Sequence, residues 1–144
     1  MAFERPFRIV VASHGELAAA MLGSATMING LPIEDSVAVC LQEGESLDGF
    51  WPRLEQAFGD DGRPVLLLLD VQGGSPYLAS KMLAKKYAKE GGPELAVVCG
   101  VNLGMIMESI LSLESVDEDA IASLVAAGQG CVVDVSERRA RSGA

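Results

Sequence analysis

The chain has 144 residues, 49% of them hydrophobic and 22% charged, with a formal net charge of −9. A single domain of that length buries roughly two-thirds of the surface its unfolded chain exposes, and the composition is that of an ordinary globular protein. The acidic balance excludes a general nucleic-acid binder, which needs a basic stripe, and suits small-molecule or basic-protein partners.

Residues 7–12 (FRIVVA) are a short β-branched run that predicts a buried strand. Across residues 16–28, Leu17, Met21, Ala25 and Ile28 recur at helical spacing, and Asn29-Gly30 ends that helix in a turn. Residues 36–41 (SVAVCL) predict a second strand, closed by QEGES. Leu47, Phe50, Trp51, Leu54 and Phe58 then form a helix stripe that places Trp51 in the core. Pro52 inside the stripe requires either a start near Gly49 or a kink.

Residues 65–69 (VLLLL) predict a strand apolar on both faces that ends at Asp70. VQGGSP follows as a loop, with Ser75 as N-cap and Pro76 as first residue of a helix reaching about Glu90. Leu78, Ala79, Met82 and Leu83 are its inward face; Lys81, Lys85 and Lys89 share a solvated one. GGPE breaks it, and residues 95–101 (LAVVCGV) predict a fourth strand. Leu103, Ile106, Met107, Ile110 and Leu111 mark the next helix. Residues 116–127 give one more, with Asp117, Glu118 and Asp119 at its positive end. Residues 131–135 (CVVDV) predict a last short strand, before the polar tail SERRARSGA. Strands apolar on both faces, alternating with helices, predict one three-layer α/β domain with a mostly parallel, flavodoxin-like sheet. Residues 1–135 form that domain and 136–144 the tail.

Cys40, Cys99 and Cys131 are far apart and form no CxxC. Each lies in an apolar strand-like run, so all three read as buried, reduced thiols. No apolar run approaches the ~18 residues of a membrane span. The start, MAFERPFRIVVASHG, has too short an apolar stretch for a signal peptide. A cytoplasmic location is expected.

Ligands of such sheets bind beyond the carboxyl ends of the strands, where the strand order reverses. Two strands end in groups able to do chemistry: the first at Ser13-His14-Gly15, the third at Asp70 followed by Gly73-Gly74-Ser75. If these strands are neighbours, His14 (the only histidine) and Asp70 meet at one rim. A carboxylate bound to one ring nitrogen fixes the tautomer, leaves the other as a nucleophile and stabilises the cationic ring formed on modification. The Gly-Gly-Ser turn at a helix start offers unobstructed backbone N–H groups to an anion. Together these describe a phosphohistidine site. Separately, each has a plainer reading: a histidine closing a strand, an aspartate capping a turn, a glycine turn. Ser75, His14 and Asp70 could also be drawn as a hydrolase triad, but Ser75 lacks the G-x-S-x-G elbow and precedes a proline. Neither GxGxxG nor GxxxxGK[ST] occurs, so a nucleotide module is disfavoured. One histidine and no thiol cluster argue against a metal site, and no cofactor is expected.

RIVVASHGELAAAML, VLLLLDVQGGSPYLAS and VVCGVNLGMIMESIL, in this order and spacing, resemble the IIA component of the mannose/fructose/sorbose class of the bacterial phosphoenolpyruvate-dependent sugar phosphotransferase system. The resemblance spans residues 7–111. It implies an open, mostly parallel α/β domain and a homodimer in which the strand at 131–135, antiparallel to its neighbours, can be exchanged between subunits. It implies that His14 accepts a phosphoryl group from the carrier HPr and passes it to a IIB protein, itself a separate polypeptide, with the membrane reached only through the IIC and IID components. Asp70 then orients His14, and Ser13, Gly73, Gly74 and Ser75 fall at phosphoryl-binding positions. Gln72, where some members have an aromatic residue, and Gly104, where GVNLP has proline, depart from the pattern. Two relatives in function stay open: a regulatory IIA-like protein serving no transporter, and the phosphotransferase subunit of dihydroxyacetone kinase.

Overall fold

The computed structural model describes residues 5–140. Four parallel strands stand in the order β2-β1-β3-β4: β1 is Arg8–His14, β2 Ser36–Leu41, β3 Val65–Leu69 and β4 Leu95–Cys99. Among the described residues there are five helices: α1 Leu17–Asn29, α2 Leu47–Ala57, α3 Gly74–Glu90, α4 Leu103–Leu111 and α5 Glu118–Gly130. The order reverses between β1 and β3, whose register pairs Arg8 with Val65 and Ala12 with Leu69. This is the flavodoxin-like α/β arrangement expected from the alternating pattern.

Side chains alternate across each strand, so the sheet feeds two cores. Ile9, Val11, Leu66 and Leu68 pack with Ala18, Ala25, Met105, Ile106 and Leu124 on the α1, α4 and α5 side. Val10, Ala12, Leu67 and Leu69 pack with Phe50, Leu54, Ala79 and Leu83 on the α2 and α3 side. Every residue of β3 is buried, which is why VLLLL shows no polar alternation. Trp51 packs, half-buried, against this second core, and Lys81, Lys85 and Lys89 are exposed as expected.

The helix ends obey local hydrogen-bonding chemistry. The side chains of Ser46, Asn102 and Asp117 accept N–H groups of Gly49, Met105 and Ala120, capping α2, α4 and α5. With that cap, α2 begins at Leu47 and includes Pro52, so no late start at Gly49 is needed. At the amino ends of the strands Arg63 pairs with Asp35 and Asp61, and Arg8 also pairs with Asp61.

Several expectations are corrected. In α1 the buried residues are Ala18 and Ala25, with Met21 and Leu22 beside them, whereas Leu17 and Ile28 are exposed. The buried stripe is set by alanines that let the helix lie close to the sheet. Helix α3 starts at Gly74, so Ser75 is its second residue rather than its cap, and Pro76 the third. A proline is accepted there because the first-turn N–H groups have no helical partner. Leu78 and Met82 are exposed; Pro76, Ala79, Ser80 and Leu83 face inward. Strand β4 ends at Cys99, before Gly100-Val101.

Helix α5 continues to Gly130, and residues 131–135 belong to no strand. Val132, Val133 and Val135 are 82%, 66% and 85% exposed. A strand requires a neighbour to pair with, and among the described residues this segment pairs with none. Cys131 is correspondingly exposed, while Cys40 is buried and Cys99 half-buried. Of the tail, residues 136–140 are exposed, and 141–144 lie outside the described residues. Gly104 has a packing reason: a Cβ at its position would collide with Cys131 Sγ, so the bare Cα of α4 seats the side chain that follows α5.

Candidate functional site at the carboxyl end of the sheet

The parallel β1–β3 pairing carries His14 and Asp70 to the same end of adjacent strands. The Asp70 main chain continues that ladder, its N–H reaching the Ala12 carbonyl at 3.3 Å. One carboxylate oxygen, Oδ2, accepts from the His14 amide at 3.0 Å and lies 2.9 Å from ring Nδ1. The other, Oδ1, accepts from the Val71 amide at 2.9 Å. Burial pushes the Asp70 carboxyl upward, but the hydrogen bonds from His14 and Val71 outweigh it and hold the group below the ordinary carboxylate range. An ionised Asp70 can only accept, so Nδ1 carries a proton, and in the neutral ring the lone pair is then on Nε2.

That free nitrogen has a defined neighbour. A Cβ built on Gly74 would stand 2.7 Å from Nε2 and 2.9 Å from Cε1, and Gly74 has φ +79. Both facts require glycine: the ring lies directly over its Cα, and the left-handed backbone disfavours a side chain. Gly74 opens the 17-residue α3, so Nε2 faces the positive end of that helix. Pro76 has no N–H, which leaves the amides of Gly73, Gly74 and Ser75 as the donors of the first turn. His14, Asp70, Gly73, Gly74 and Ser75 are thus brought together.

Ser13 is placed differently. It is 1% exposed, and its hydroxyl accepts the Ala18 N–H at 2.7 Å and contacts the Gly15 carbonyl at 3.2 Å, on the α1 side of the sheet. Sequence reading overlooked that inward turn, although strand alternation sends Ser13 and His14 to opposite faces. It also overlooked the network beside the site, where Arg53 grips Glu45 and the Cys40 carbonyl, and Gln42 reaches Glu16 at 3.3 Å. A cavity of about 610 Å³ lies elsewhere: Arg5, Asp35, Ile110 and Leu113 line it at the amino ends of the strands. The His14 side chain is 48% exposed on an open surface. A ring so exposed is accessible to a group presented by another protein.

The chain matches the family model described as PTS system fructose IIA component over residues 8–126. It belongs to that family of phosphotransferase-system IIA components. The mannose/sorbose-specific IIA subunit from Enterococcus faecalis is 30% identical, with a TM-score of 0.79 over 95% of this chain and 99% of its own. Phosphotransferase system component EIIA from Streptococcus agalactiae is 27% identical, with a TM-score of 0.78 over 89% of this chain and 96% of its own. The IIA protein associated with the fucose utilization operon of Streptococcus pneumoniae is 27% identical, with a TM-score of 0.71 over 94% and 96%. The comparison with curated proteins gives no match. As a IIA-family component the protein has a phosphotransfer role in a sugar phosphotransferase system. Among the described residues, no helix is long and apolar enough to cross a membrane.

Proposed function

We propose that this protein is a phosphohistidine carrier that accepts a phosphoryl group on Nε2 of His14 from HPr and passes it to a IIB protein. The observation that carries the reading is the division of labour on one ring: Nδ1 is held by Asp70, while Nε2 is free above the first residue of α3. In the forward step the Nε2 lone pair attacks phosphorus and the P–N bond to the donor's histidine breaks. The Nδ1 proton stays in place, so the product ring carries positive charge opposite the Asp70 carboxylate. The amides of Gly73, Gly74 and Ser75 and the α3 dipole stabilise the phosphoryl oxygens, with the Ser75 hydroxyl near them. Transfer to IIB is the same displacement in reverse, with the acceptor's nucleophile attacking.

A donor that is itself a protein suits a half-exposed histidine outside any deep cavity, and the net charge of −9 favours a basic partner surface. The exposed valines of residues 132–135 support a homodimer in which this segment pairs with the open edge of β4 in a second copy. Beside that edge lies a cleft of about 430 Å³, lined by Val97, Val98, Met105, Ile121 and Val125 and, from the segment itself, Val132. The cytoplasm is the proposed location, because donor and acceptor act there.

The test is phosphoryl transfer from phosphoenolpyruvate through enzyme I and HPr, read by intact mass. One acid-labile phosphoryl group is expected on the wild type and none on His14→Ala. A label that persists in His14→Ala overturns the assignment.

A further inference from the structure

Strand alternation at the end of β1 turns His14 toward the start of α3 and Ser13 toward the start of α1. Helix α1 lacks a local side-chain cap, since Glu16 at that position makes no capping hydrogen bond. Ser13 supplies it from outside the helix: its buried hydroxyl accepts the Ala18 N–H at 2.7 Å and donates to the Gly15 carbonyl at 3.2 Å. The neighbouring main chain is held as well. The His14 amide is bound by Asp70 at 3.0 Å, and the Gly15 amide by the Leu41 carbonyl at 2.8 Å. Of these restraints on the histidine turn, the Ser13 hydroxyl alone ties it to α1.

We infer that Ser13 is a positioning residue for phosphoryl transfer, its hydroxyl fixing the Ser13–Gly15 turn so that Nε2 of His14 stays aligned over α3. The inference rests on the phosphohistidine reading, and it assigns Ser13 no contact with the phosphoryl group. A buried hydroxyl with both its hydrogen bonds made to the chain has a cost of removal that falls on its partners. Here those partners are the carbonyl next to the nucleophile and the first turn of α1. Small displacements matter for in-line displacement, because a misplacement of about 1 Å lowers rates on the order of a hundredfold.

The test compares Ser13→Thr, which keeps the hydroxyl, with Ser13→Val, which has nearly the same shape without it, and with Ser13→Ala, which only removes atoms. Single-turnover transfer from phosphorylated HPr and the ring ¹⁵N shifts of His14 are measured on each. Thr is expected to stay close to wild type. Val and Ala are expected to slow transfer roughly ten- to a hundredfold, with an unchanged apparent KM for HPr and ring shifts moved from a single Nδ1–H tautomer toward a mixture. If Val does not fold, Ala against Thr decides. Equal rates and equal ring shifts in Thr and in the folded hydroxyl-free variant, with only the melting temperature lowered, overturn the inference. Absence of a label on wild-type His14 overturns the carrier reading instead, and the ring shifts then still decide whether Ser13 sets the histidine.

Discussion

Asp70 holds His14 twice through one oxygen: Oδ2 binds the main-chain amide at 3.0 Å and ring Nδ1 at 2.9 Å. The first contact fixes where the residue sits and the second fixes which nitrogen reacts. Asp70→Asn keeps the shape but loses the charge that faces the cationic ring. It is expected to slow phosphoryl transfer about a hundredfold while far-UV circular dichroism stays native. An unchanged single-turnover rate would remove Asp70 from the mechanism.

Gly74 and Gly30 make a matched pair. Their φ angles are +79 and +82, but a Cβ at Gly74 meets His14 Nε2 at 2.7 Å, whereas nothing lies within 4 Å of one at Gly30. Each alanine substitution is expected to cost about 1–2 kcal/mol from the left-handed backbone. Only Gly74→Ala should also abolish labelling of His14. Denaturant melts and the phosphotransfer assay on both variants check the two halves of this statement separately.

Ion pairs at the far end of the sheet contribute to acid stability. Hydrogen bonds from Arg63 hold the Asp35 carboxyl below its ordinary range, and those from Arg8, with Arg63, do the same more strongly for Asp61. A carboxylate with a depressed folded-state pKa contributes stability that is fully present above its unfolded value, near pH 4, and is lost as pH falls through the folded value. The melting temperature is therefore expected to fall as pH drops below about 4. Asp35→Asn tolerates the left-handed backbone there (φ +58) yet removes the charge. It should lower the melting temperature at neutral pH and flatten the acid dependence.

Leu67 is wholly buried in the second core, on β3 beside β1 and away from the carboxyl end of the strand. Leu67→Ala is expected to destabilise the fold by about 3 kcal/mol. Transfer per folded molecule should not change. Chemical denaturation and titration of labelled His14 give the two quantities.

Ending the chain at Gly130 removes the exposed Val132, Val133 and Val135. Sedimentation velocity is expected to show a dimer for the full chain and a monomer for the shortened one. A full chain that sediments as a monomer would sink strand exchange without touching the chemistry of His14.

Much of this was legible in the residues. VLLLL could only be a strand covered on both faces, and the helix ends at Asn29-Gly30 and GGPE are backbone chemistry that acts within a few residues. His14 and Asp70 could be named because both close apolar runs, and strand ends are where α/β sheets place their reactive groups. Local rules went astray where packing chose among equivalent patterns. Leu17 and Leu78 fit a helical stripe as well as Ala18 and Ala79 do, and only the positions of neighbouring elements decide which face is covered. The CVVDV segment has strand composition, but a strand exists only against a partner, and among the described residues it pairs with none.

By itself, then, the sequence determined the α/β class and the family through its three motifs, and it singled out His14 and Asp70 as candidates, because periodicity and strand-end chemistry are local. The tertiary structure decided the rest: that β1 and β3 are neighbours, that Nδ1 is bound and Nε2 free over Gly74, and that Ser13 faces α1. The pairing of His14 with Asp70 alone joins residues 56 apart in the chain. Such contacts depend on how the helices seat against the sheet, and no short window of residues encodes that.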